Sequence, residues 1–166
     1  MTDAPFSIVA LAAHHVRSGF SCGNAALDSY LQTHASQDVK RKVATCFVAI
    51  ENATGLIAGY YTLSACHVYL SGLDEDTRRK LPKYPTVPAV RLGRLAIDTR
   101  FQGRKLGAAM LGNAAARATQ SEIATAMMVV DAKDETAAAF YRHHGFVAYA
   151  SVSGKLMAPL GKLLGR

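Results

Sequence analysis

The segment Val90 to Arg117, VRLGRLAIDTRFQGRKLGAAMLGNAAAR, holds the residues whose types and spacing could do chemistry. An apolar run broken by two arginines, Val90 to Ile97, passes through a short polar connection into a Gly-studded turn, Gln102 to Gly107, and then into a long Ala-rich stretch. That pattern predicts strand, loop and helix. The first N–H groups of a helix lack internal partners, and the aligned peptide dipoles add partial positive charge there. Glycines at such a mouth let an anion approach bare backbone, so the turn is a candidate pyrophosphate cradle, reinforced by Arg104 and Lys105. The same spacing also suits a plain connection whose glycines serve only tight dihedrals.

Charge gathers beside this turn. The net charge is +7 and the pI about 9.5; from residue 78 to 105 the basic residues Arg78, Arg79, Lys80, Lys83, Arg91, Arg94, Arg100, Arg104 and Lys105 face the single acid Asp98. One pyrophosphate needs only a few of them. The surplus fits a larger polyanion such as a nucleic acid, or a merely solvated face.

The elements that must position these groups follow from patterning. A chain of 166 residues, 50% of them apolar, is long enough for one filled core, so a single domain over residues 1–166 is expected. No apolar run reaches the roughly 20 residues of a membrane helix and the N-terminus lacks a secretory layout, which predicts a cytoplasmic protein with no membrane contact. Cys22, Cys46 and Cys66 are widely separated, and the histidines include the adjacent pairs His14-His15 and His143-His144, so no metal site is expected.

Residues 6–11, FSIVAL, read as an opening strand, and Asn24 as the N-cap of a helix burying Leu27, Tyr30, Leu31 and His34. Val43 to Ile50 and Leu56 to Ser64, separated by ENATG, predict an antiparallel hairpin whose second strand extends towards Leu70. Leu73 to Leu81 reads as a short charged helix, and PKYPTVP as an irregular connection into the strand at Val90. Beyond the turn a helix runs to about Gln120 with Leu106, Met110, Ala114 and Arg117 on adjoining turns. Then come a central strand at Ala126 to Asp131, a helix at Thr136 to His143 ended by Gly145, a strand at Phe146 to Tyr149, and a last strand at Lys155 to Leu160 before a frayed basic end. The fold class is α/β: a mixed sheet of about six to seven strands flanked by helices.

RLAIDTRFQGRKLGAAML combined with DETAAAFYRHHGF resembles the GNAT superfamily of acyl-CoA-dependent N-acetyltransferases. The element order matches over nearly the whole chain. The family cradle reads Gln or Arg, two residues, Gly, one residue, Gly or Ala; Gln102, Lys105 and Gly107 hold the named positions, so Lys105 replaces a glycine. A side chain is tolerable there if its dihedrals are ordinary. Upstream, FSCGNAALDSYL, ASQDVKRKVATCFVAI and GYYTLSA resemble the GNAT toxins encoded with ribbon-helix-helix antitoxins. That resemblance implies acetylation of the α-amino group of aminoacyl-tRNA and a block of translation. It also implies neutralisation by the antitoxin, operator DNA binding by the pair, and a homodimer.

The resemblance also assigns roles. Backbone groups of Leu95, Ala96 and Ile97 would hold the pantetheine arm and thioester of acetyl-CoA, and the amides of Gln102, Gly103, Arg104, Lys105, Leu106, Gly107 and Ala108 would meet its pyrophosphate. Tyr141 matches the proposed general acid, and a phenol with a reference pKa of about 10 stays protonated at neutral pH. Arg78, Arg79, Lys83, Arg91 and Arg94 are candidates for tRNA phosphates; Arg91 and Arg94 fall on opposite faces of a regular strand. No carboxylate precedes Asp98 on the cradle strand. A lysine amine is neutral at pH 7 in only about one molecule in 2,500, an α-amine in roughly one in five to ten, so a site without a strong base suits the latter. The competing readings are acetylation of a small amine or protein N-terminus, and a non-catalytic CoA-binding corepressor.

Overall fold

The computed structural model describes residues 4–150 and 152–164. They carry seven strands in the order β1-β2-β3-β4-β5-β7-β6, a mixed sheet accompanied by helices. The chain divides into two compact units, residues 1–64 with 94–113, and residues 65–93 with 114–166.

In the first unit β1 (Phe6–Ala10) pairs antiparallel with β2 (Thr45–Glu51), from Phe6↔Glu51 to Ala10↔Phe47. β2 in turn pairs with β3 (Ile57–Tyr69), of which residues 57–64 belong to this unit, from Thr45↔Leu63 to Ile50↔Ile57, with one irregularity at Ala49/Ile50. The expected hairpin is present, its turn closed by Gly55 at φ 75°. Asn24 caps α1 (Ala25–Ser29) by accepting from the Leu27 N–H at 3.1 Å, as its type foretold. The helix then widens. Residues Tyr30–His34 form a π turn, with the Ala35 N–H donating to the Tyr30 carbonyl, before α2 (Ala35–Lys40) resumes. Tyr30, Leu31 and Ala35 are buried, whereas His34, expected in the buried stripe, is exposed. The core of this unit joins them to Phe20, Val48 and Tyr60.

β4 (Thr86–Ile97), whose residues 86–93 belong to the second unit and 94–97 to the first, runs parallel to β5 (Met127–Asp131), from Ala89↔Met127 to Leu92↔Val130. β7 (Lys155–Pro159) pairs antiparallel with β5, and the two-residue β6 (Val147–Ala148) pairs with β7. β4 starts at Thr86 rather than Val90. Val87 and Ala89 are buried around an exposed Pro88, and that proline is accommodated because its carbonyl serves the ladder region, accepting from the Ala126 N–H. Met127 and Met128 are fully buried, in keeping with the central strand expected at Ala126 to Asp131. The short charged helix α3 (Glu75–Arg79) is capped by Asp74, and α5 (Glu135–His143) by Asp134. The C-terminal end is not frayed throughout: Leu160–Leu163 form a short helix, α6.

Helix α4 (Leu106–Gln120) begins in the first unit. Leu106, Met110 and Ala114 lie inward as expected; Ala118, not Arg117, completes the buried stripe.

Candidate active site

The cradle is built from the end of β4 into the start of α4. β5 ends one residue beyond its last pair with β4, while β4 continues through residues 93–97. Leu95, Ala96 and Ile97 lie on that continuation, with Ala96 buried. Asp98 then turns the chain. Its carboxylate accepts from the Arg100 N–H, the Arg100 guanidinium and the Ser21 N–H, all at 2.9–3.0 Å. Its side chain is 1% exposed. Burial alone would raise its pKa, but these hydrogen bonds outweigh it and hold the carboxyl below its ordinary value. Asp98 is therefore a fastener of the loop rather than a base.

Gln102 faces the same way. Its amide donates to the carbonyls of Ile97 at 2.9 Å and Cys22 at 3.3 Å, tying the loop to the strand it follows. Gly103 has φ 81° and a Cβ there would meet open space, so glycine is required by dihedral rather than by crowding. Lys105 also takes a left-handed conformation, φ 61°, and the ordinary dihedral expected of it is not found. That is the region of backbone space that favours glycine. The first bond of α4 is Ala109 N–H to the Lys105 carbonyl, so the amides of Leu106, Gly107 and Ala108 precede the helical ladder. Exposed residues 102–105 and these amides fit a pyrophosphate.

Tyr141 belongs to the second unit, on α5. Its ring packs edge-on against Phe140 and Phe146, both at 5.3 Å. The residue is buried, and burial pushes the phenol well above its ordinary pKa. Its hydroxyl has no hydrogen-bond partner among the described residues. Gly145, which ends the helix, has φ 99°, and a Cβ would also press on the Lys162 side chain at 3.1 Å. His143 is exposed and His144 leans on Phe140; burial, then His143, lowers the His144 pKa.

The acetyltransferase (GNAT) domain model matches residues 42–148. The chain belongs to the GNAT acetyltransferase family. It is 34% identical over 131 residues to a tRNA-acetylating toxin of Mycobacterium tuberculosis, covering 78% of this chain and 76% of that one. A tyrosine-to-phenylalanine mutant of KacT superimposes with a TM-score of 0.87 at 26% identity, covering 96% of this chain and 98% of that one. AtaT complexed with acetyl-methionyl-tRNAfMet gives 0.86 at 27%, covering 95% and 96%. AtaT has also been solved as AtaTR with acetyl-CoA (TM-score 0.81, 27%) and, as a tyrosine-to-phenylalanine mutant, with the C-terminus of the antitoxin AtaR (0.79, 25%). The AtaT–AtaR complex on DNA gives 0.74 at 26%; these three each cover 95–96% of both chains.

In this GNAT acetyltransferase the expected RNA-binding residues differ in the partners that engage them. Arg91 is exposed and pairs with Asp131. Arg94 lies 3.5 Å from the centroid of the Tyr30 ring, whose hydroxyl donates to Asp38 at 2.7 Å. Arg78, Arg79 and Lys83 border one cavity of about 530 Å³ in the second unit. Arg79 is engaged by Glu75 at 3.4 Å and Asp76 at 4.0 Å. Arg104 stands over the Phe101 ring at 5.5 Å, with Glu51 at 4.0 Å. Sequence reasoning missed Gly59 on β3: a Cβ there would lie 2.9 Å from the Ala96 carbonyl oxygen, Ile97 Cδ1 and Met110 Sδ. A lone glycine inside a strand was the signal.

Proposed function

We propose that this acetyltransferase moves the acetyl group of acetyl-CoA onto the α-amino group of aminoacyl-tRNA, and so acts as a toxin on translation. The observation that carries the reading is the commitment of Asp98, the carboxylate at the cradle end of β4, to Arg100 and Ser21. A site whose nearest carboxylate in sequence is spent on structure suits an amine already partly neutral at pH 7, and an α-amine is that. The likeness to AtaT with acetyl-methionyl-tRNAfMet supports the same substrate.

Backbone groups of Leu95, Ala96 and Ile97 would hold the pantetheine arm and thioester, while residues 102–108 hold the pyrophosphate. As the amine nitrogen bonds to the carbonyl carbon, the C–S bond breaks and its electron pair leaves on sulfur. Tyr141 donates its hydroxyl proton to that sulfur and recovers one from the acetylated nitrogen, through water. Burial keeps the phenol protonated before the reaction, and a hydroxyl without an internal acceptor is available to the sulfur. Arg78 and Lys83, with contributions from Arg79, Arg91 and Arg94, serve the RNA. A single domain, a cytoplasmic location, a homodimer and a ribbon-helix-helix antitoxin that brings the pair to operator DNA complete the proposal; the AtaT complexes with AtaR and with DNA support the antitoxin.

The test incubates the protein with labelled acetyl-CoA and a charged tRNA pool, beside Tyr141→Phe. Label should enter tRNA, be released with the aminoacyl ester, and fall steeply with added salt. Label in small amines or protein N-termini alone would replace the reading with the small-amine one.

A further inference from the structure

The cavity beside Arg78 and Lys83 contains a group that the proposed chemistry does not use. Leu70, Leu81 and Pro85 give it an apolar lining, Arg78 and Lys83 give it charge, and Tyr84 adds an aromatic ring that is 65% exposed. An exposed tyrosine between two prolines is held rather than loose. The Tyr84 N–H donates to the Pro82 carbonyl at 2.9 Å, and the Leu70 N–H donates to the Pro85 carbonyl at 3.0 Å, so the PKYP segment is closed by an internal turn and tied at its Pro85 end to Leu70. Pro82 and Pro85 fix their own φ angles, which lowers the entropy lost when the ring is covered. The cations differ in availability. Arg79 is neutralised by Glu75 and Asp76, whereas Arg78 and Lys83 make no ion pair among the described residues.

We infer that this cavity is a subsite for one unpaired nucleotide of the RNA substrate, its base stacked on Tyr84 and its flanking phosphates held by Arg78 and Lys83. A volume of about 530 Å³ lies within the range of small-ligand sites. Aromatic faces recognise splayed single-stranded bases, and paired bases cannot offer theirs. Two unneutralised cations beside one aromatic face and an apolar lining complement a base flanked by phosphates. The inference rests on an RNA substrate, as proposed above, and adds that an unstacked nucleotide is gripped by residues that take no part in the acetyl transfer itself.

Two variants and two readouts test it. Tyr84→Ala should raise the KM for charged tRNA roughly 5- to 150-fold, the range given by about 1–3 kcal/mol of stacking, with kcat at saturation retained. Tyr84→Phe keeps the ring and should stay within about twofold of the parent. Lys83→Gln should reduce the slope of log affinity against log salt by about one, and Tyr84→Ala should leave that slope in place. Thermal melting and acetyl-CoA binding of Tyr84→Ala should match the parent, which separates a lost contact from a lost fold. The second readout is fluorescence anisotropy of a labelled single-stranded oligoribonucleotide against a blunt duplex of the same sequence. The parent should prefer the single strand, and Tyr84→Ala should lose that preference. If the parent failed to acetylate tRNA, the functional reading would fall while the anisotropy still tested the subsite. Unchanged KM and unchanged strand preference in Tyr84→Ala would overturn the inference. So would an unchanged KM accompanied by weakened antitoxin binding, which would give the cavity to a protein partner.

Discussion

Gly59→Ala puts a single methyl group against β4, the strand proposed to present the thioester-binding backbone. The added Cβ would sit 2.9 Å from the Ala96 carbonyl oxygen, from Ile97 Cδ1 and from Met110 Sδ. Each is about half an ångström inside ordinary van der Waals contact. The two side-chain ends could rotate, but the carbonyl oxygen is fixed to β4, so the strand itself must yield. Overpacking of this kind costs about 1–3 kcal/mol, and for a chain of this size each kcal/mol lowers Tm by roughly 2–4 °C. The expected melting point is therefore about 2–12 °C lower. The catalytic consequence is separate: groups that position a reaction tolerate about 0.5 Å of error, and 1 Å can cost on the order of a hundredfold. A fall in kcat/KM of about tenfold, measured well below the new Tm, is the expected result. Gly112→Ala is the internal control. That glycine lies within α4, and an added methyl would meet nothing within 4 Å, so alanine should stabilise by roughly 0.5–1 kcal/mol through helix propensity. Parent-like melting and kinetics in Gly59→Ala would refute the argument that backbone proximity dictates this glycine.

Tyr141→Phe should lower kcat by about 10²- to 10⁴-fold with acetyl-CoA affinity retained, read by steady-state kinetics beside calorimetric binding. Lys105→Gly relieves a left-handed lysine and should raise stability by up to about 1 kcal/mol, while removing a charge from the cradle; a melting point that rises as acetyl-CoA affinity falls would establish both roles. Asp98 has a folded-state pKa below its unfolded value, so its stabilisation is complete above about pH 4 and is lost as pH falls through the folded value. Urea unfolding of Asp98→Asn from pH 7 to pH 3 should lack that acid-side component, and an unchanged acid-side slope would contradict the assignment.

Much of this was legible in the chain. Asn24 before an apolar periodic run, the ENATG turn and the Ala-rich helix after Gly103 each declare themselves by local chemistry, and local chemistry decides them. The loop and helix start that form the candidate cradle, residues 102–108, were legible because they depend on contiguous sequence. Features that distant residues decide were not. Gly59 is explained by Ala96 and Met110, and nothing near it in sequence reveals them. The π turn at Tyr30–His34 has an ordinary helical composition; its place is set by the stacking of Tyr30 on Tyr60 and on Arg94. Pro88 argued against a strand because a proline removes a donor, yet a carbonyl suffices at that position. Backbone dihedrals are also hidden, so Lys105 disclosed its glycine-like φ only in three dimensions.

The placement of β7 bears on how the second unit can be completed. In the second unit β7 lies between β5 and β6, although the ribosome makes β6 first. Until residues 155–159 emerge, β6 has no neighbour to pair with, and β5, paired with β4 on one side, keeps its other edge open. Tyr141 stands on the helix between β5 and β6, the two strands that β7 joins. The sheet order thus makes residues 155–159 the bridge on which both β6 and the outer edge of β5 depend.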